Sequence, residues 1–149
     1  MPKGIQVYTV HVECLVWQFF GSGLSALLIK NTRVYQKIIE RCTNIAELKV
    51  NDSLLSLFIL GIFCGIMMYI AVDNYINQGG ARNFTSGIVA IFCVSVFILA
   101  GFEHSIADMF YFMLSSPISK WIIPLLVISV GNIIGGNLIC WLTKWKIEK

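Results

Sequence analysis

Hydrophobic and polar positions fall in long blocks along this chain. Ser53 to Val72 and Trp121 to Thr143 each run without a charged side chain. Both approach or exceed the roughly 20 residues a helix needs to cross the hydrocarbon core, so each predicts a membrane span. Cys14 to Ile29 is a third uncharged run. At 1.5 Å per residue it would rise only about 24 Å, so the span predicted there extends back through Val7 to Val12. Between Lys30 and Asp52, Val34, Ile38, Ile39, Ile45 and Leu48 alternate with Arg33, Lys37, Glu40, Arg41 and Glu47. That pattern suits an amphipathic helix lying on a membrane surface.

The stretch from Phe84 to Ser116 is too long for one straight crossing. As a continuous helix it would measure about 50 Å against a core of about 30 Å. The expected interruption is Gly101 to Asp108, where a glycine coincides with Glu103, His104 and Asp108. Half-helices whose freed ends face a polar cavity near the midplane satisfy such a break. The expectation is an all-α integral membrane protein with about four spanning helices, one of them broken. An internal echo adds a repeat: Gln18-Phe19-Phe20-Gly21-Ser22-Gly23-Leu24 returns in type as Asn132-Ile133-Ile134-Gly135-Gly136-Asn137-Leu138. If these helices are equivalent, residues 53–143 form a complete three-helix repeat. Residues 7–29 are then the last helix of another, 30–52 a bridge, and two helices are expected upstream. Gly61 with Gly65, Gly131 with Gly135 and Gly21 with Ser25 offer small faces for close helix approach.

Composition agrees with a membrane location: 57% of residues are hydrophobic, 13% are charged and the mean hydropathy is +0.78. The net charge of +3 comes from basic residues lying almost wholly between or beyond the apolar blocks, as at the ends of membrane helices, which argues against nucleic acid as a partner. Five on one side (Lys3, Arg82, Lys144, Lys146, Lys149) face six on the other, the bridge with Lys120, so charge does not set the orientation. The five cysteines are widely spaced without a CxxC pair and read as packing residues. The start Met1-Pro2-Lys3-Gly4 lacks the order of a cleaved signal peptide. With two histidines and no nucleotide, nucleophile or metal motif, neither an enzyme nor a cofactor is expected.

The candidate chemistry is the ionisable group inside the apolar block. Glu103 and His104 follow nineteen uncharged residues, Phe84 to Phe102, and such groups usually face a pathway, a cavity or each other. The alternative for His104 is a packed ring bonded to a backbone carbonyl. Glu103 equally suits a cap for freed amides at the start of a half-helix. Lys49 borders the bridge, where a solvated lysine is the default, although such a side chain can snorkel. Asn132 fits either a pore wall or an interhelical hydrogen bond. His11 and Glu13 lack a third ligand for a metal site.

Gly101-Phe102-Glu103-His104-Ser105-Ile106-Ala107-Asp108-Met109 resembles the broken fifth helix of the formate/nitrite transporter family, and Gly131-Asn132-Ile133-Ile134-Gly135-Gly136 resembles its sixth. Ala46-Glu47 before Lys49-Val50 resembles the approach to its fourth. The resemblance runs from about Val7 to the C-terminus, without a counterpart of the family's first two helices. It departs at Gly65 and at Asp108, where the family usually has asparagine. The resemblance implies an aquaporin-like fold of two inverted halves, of which this chain holds one plus an extra helix. It also implies a homopentamer, where a full protomer forms, in the plasma membrane with a cytoplasmic C-terminus. Small monovalent anions (formate first, then nitrite or hydrosulfide) would permeate together with protons. Lys49 would attract the anion and His104 share a proton, with Glu103, Asp108 and Asn132 along the pathway and Phe97, Phe92 and Met68 as constriction. A truncated, non-transporting membrane subunit is the alternative.

Overall fold

The computed structural model describes residues 3–77 and 84–147, with side chains for 16–76 and 84–142. The side chains of His11, Glu13, Arg82 and the Lys144, Lys146 and Lys149 tail lie outside the described residues. Among the described residues there are six helices and no strand: α1 Lys3–Lys30, α2 Tyr35–Asn51, α3 Leu54–Asn77, α4 Phe84–Leu99, α5 Ser105–Ser115 and α6 Ile118–Ile147. Leu54–Ile76 and Ile118–Leu142 are long and apolar enough to cross a membrane, and Phe84–Leu99 is a shorter apolar helix. The span expected from Trp121 is helical throughout, the one expected from Ser53 is helical from Leu54 onward, and the backbone of the first is helical as well.

The helices divide into two compact units. In the first, α1, α2 and α5 share a core of Ala26, Cys42 and Leu114, with Ile29, Tyr35, Ile38, Ile39, Phe110, Tyr111 and Met113 packed against it. The chain leaves α1 through a turn in which Thr32 Oγ1 donates to Ile29 O at 2.8 Å and Asn31 Nδ2 to Leu27 O at 3.2 Å. Those side chains occupy carbonyls that a helix end leaves open. The bridge is helical, but from Tyr35 onward, because residues 31–34 form this turn. Its inward face is Ile38, Ile39, Cys42, Ile45 and Ala46, whereas Val34 and Leu48 are exposed. Burial pushes the Cys42 thiol up from its ordinary pKa, keeping it protonated, in keeping with a packing role. After α5, the Phe112 and Trp121 rings stack at 5.6 Å, and Trp121 Nε1 donates to Ser116 O at 3.1 Å.

In the second unit α3 begins on a side-chain cap: Ser56 N donates to Ser53 Oγ at 3.1 Å, and Ser56 Oγ to Asp52 Oδ2 at 2.7 Å. Its glycines meet those of α6. A Cβ on Gly61 would come within 2.9 Å of Ile128 O, one on Gly131 within 2.6 Å of Phe58 O, and one on Gly135 would strike Ile62 O. A Cβ on Gly65 would strike the main-chain oxygen of Asn132. The resemblance implies asparagine at this position; in this chain the backbone contact leaves room for hydrogen alone. The expected close approach of Gly61/Gly65 and Gly131/Gly135 therefore forms. Gly21 on α1 has no such neighbour within 4 Å among the described residues.

Candidate functional site: a helix break and a buried ion pair

The end of α4 is built by its own backbone. Gly101 adopts φ +69°, Phe102 N donates to Phe97 O at 3.0 Å and Gly101 N to Ile98 O at 3.3 Å. This paired arrangement around a left-handed glycine closes a helix by satisfying its last carbonyls. Residues 102–104 are non-helical, and α5 starts at Ser105. The gap is shorter than the expected Gly101 to Asp108, because a bonded Ser105 lets the helix restart early and leaves Asp108 inside its first turn.

Asn132 of α6 holds the gap together. Its Oδ1 accepts from Ser105 N at 3.0 Å and from Ser105 Oγ at 3.1 Å, while its Nδ2 donates to Glu103 O at 2.8 Å and to Gly61 O at 2.9 Å. Both amide protons and the carbonyl oxygen are thereby engaged. Of the two readings open for Asn132, interhelical bonding is the one the geometry displays. It also supplies an acceptor at the start of α5, the capping work considered for Glu103. Glu103 is buried at 6% exposure, held there through its main-chain oxygen. His104 follows, half-buried, with its ring stacked on Phe97 at 5.6 Å and 28°. Behind the gap, Phe102 stacks on Phe63 of α3 at 5.5 Å.

The other two residues expected at a constriction are placed differently. Phe92 is 64% exposed, and five residues of helix put it about 140° around α4 from Phe97. Met68 is half-buried on α3.

Lys49 and Asp108 meet within the first unit. Nζ of Lys49 lies 3.0 Å from Oδ1 of Asp108, with side-chain exposures of 14% and 2%. Lys49 is therefore not a solvated surface lysine. Seven residues after Cys42 and three after Ala46, it stands on the inward face of α2, and the small size of those two residues was the sequence signal for that face. Ser105 was not singled out among the site residues, although a serine opening an apolar run after a glycine is a helix-start signature.

A helix interrupted inside an apolar segment, an ionisable side chain at the gap and an adjoining glycine-packed helix define a polytopic membrane protein with a polar site in its interior. The chain belongs to the formate/nitrite transporter family, whose model matches residues 4–146. It is 28% identical over 127 residues to the formate channel FocA of Escherichia coli (strain K12), covering 68% of this chain and 44% of the relative. It is 28% identical over 145 residues to the formate-nitrite transporter of Plasmodium knowlesi (strain H), covering 91% of this chain and 45% of the relative. The chain thus spans less than half the length of these relatives. No solved structure gives a significant match.

Proposed function

We propose that this chain builds part of a pathway for small monovalent anions, formate first, with nitrite and hydrosulfide as neighbours, and that it is a conduit rather than an enzyme. Family membership supports the class of cargo. The observation that carries the reading is the helix gap with His104 set against Phe97. Moving a bare carboxylate into a dry constriction costs far more than moving the neutral acid. In this reading Lys49 draws the anion in, and His104 exchanges a proton with it. An imidazole suits that exchange because its unperturbed pKa of about 6.5 lies near physiological pH.

The same reading takes residues 7–29 as the last helix of one repeat, 30–52 as the bridge and 53–143 as a complete second repeat. About four crossings result, the third being the broken helix, in an aquaporin-like plan. We further propose a homopentamer in the plasma membrane with the C-terminus in the cytoplasm.

The test is formate entry into liposomes carrying the chain, followed at several pH values. His104→Phe should slow entry at least tenfold, a barrier rise of about 1.4 kcal/mol, and flatten its pH response. Entry unchanged by that substitution would refute the histidine's role. If the unaltered chain admits no formate, the reading that survives is a membrane subunit that inserts and assembles without conducting.

A further inference from the structure

The buried ion pair deepens the transport reading and rests on it for the identity of the cargo. An ammonium placed to attract an anion already holds one: the Asp108 carboxylate, 3.0 Å from Lys49 Nζ and 2% exposed. That contact is chemically one a bound formate ion would make, a carboxylate oxygen on an ammonium. Asp108 also lies in the first turn of α5, where partial positive charge from the helix end favours a carboxylate. Neighbouring positions on the chain are tightly packed, with Ala46 at 0%, Met109 at 5% and Phe112 at 0% exposure. Removing one member of such a pair leaves an uncompensated buried charge, which is strongly unfavourable.

We propose that Asp108 is a tethered surrogate for the permeant anion: it occupies the Lys49 ammonium, and a free monovalent carboxylate engages that ammonium only by displacing it. Asp108 is on this account a specificity-determining residue. It sets how strongly a free anion must compete for the Lys49 ammonium.

Asp108→Ala removes a carboxylate of formate's own size from beside Lys49, so free formate should refill the space. The purified full-length chain in detergent is melted in sodium formate and in sodium gluconate at matched ionic strength. Asp108→Ala should melt below the unaltered protein, and formate but not gluconate should raise its Tm saturably by about 3 °C or more, as a ligand bound to the folded state does. The unaltered protein should shift by less than about 1 °C, and Lys49→Met/Asp108→Ala should not respond to formate. Equal formate responses in the single and double variants, or a single variant no more responsive than the unaltered chain, would overturn the proposal. Should Asp108→Ala not fold, Asp108→Ser, which also vacates the space of the carboxylate, is judged by the same comparisons. Because melting requires no flux, a chain that refills with formate yet conducts none sinks the transport reading and leaves this one standing, and the converse holds.

Discussion

Asn132 illustrates how one polar side chain earns its place in an apolar helix. Placed among Ile128, Gly131 and Gly135, it looks costly until its four hydrogen bonds are counted, each to a group freed by a helix break or reachable across a glycine seam. Asn132→Leu would remove both donors and the acceptor. The amide of Ser105 and the carbonyls of Glu103 and Gly61 would lose that partner, and a buried group left unsatisfied costs about 1–3 kcal/mol. A thermal or denaturant melt of the purified variant should therefore show a loss of at least about 2 kcal/mol. Asn132→Asp keeps an acceptor for Ser105 but turns a carboxylate oxygen toward the carbonyl oxygens of Glu103 and Gly61, so it should not restore the stability. His104 differs: its ring stacks on Phe97, and the effect expected from its replacement is on flux rather than on melting.

At the scale of elements, the decisive feature is that α4 stops. Its last residues, Val96, Phe97, Ile98 and Leu99, are as apolar as the helix before them and carry no stop signal of their own. The stop comes from Gly101 at φ +69° and the two backbone bonds around it. Among the described residues, no atom beyond the chain neighbours of Gly101 lies within 4 Å of the space a Cβ would take there, so Gly101→Ala tests conformation alone. It should cost about 1–2 kcal/mol, the price of a left-handed non-glycine residue, measured as a lowered melting point. Gly101→Asn should cost less, since asparagine visits that region more readily. The α3–α6 seam obeys a different rule: at Gly65 and Gly135 it is the opposing backbone, not φ, that requires glycine.

At the scale of the whole molecule, exposure is the main observation. Large apolar side chains are open on every helix except α5, among them Trp17 at 75%, Leu55 at 68%, Phe84 at 83%, Leu99 at 86% and Trp141 at 69%. Isolated exposed apolar residues are ordinary, but this many call for lipid or for further protein against them. The chain should accordingly stay with the membrane pellet through alkaline carbonate washing and be released by detergent. Release by carbonate alone would contradict membrane insertion.

Block hydrophobicity alone was enough to place α3 and α6, because an uncharged run of about 20 residues has few other ways to hide its backbone. The break was legible too, since Phe84 to Ser116 is too long for one crossing and Gly101 sits beside Glu103 and His104. What the sequence left open was pairing. Which distant groups Asn132 bonds, and whether Lys49 meets water or Asp108, depends on which of them arrive at hydrogen-bond range. Only tertiary packing decided those, because an amide 27 residues from its partner, or an ammonium 59 positions before its counter-ion in the chain (108 − 49), has no local periodicity to announce it.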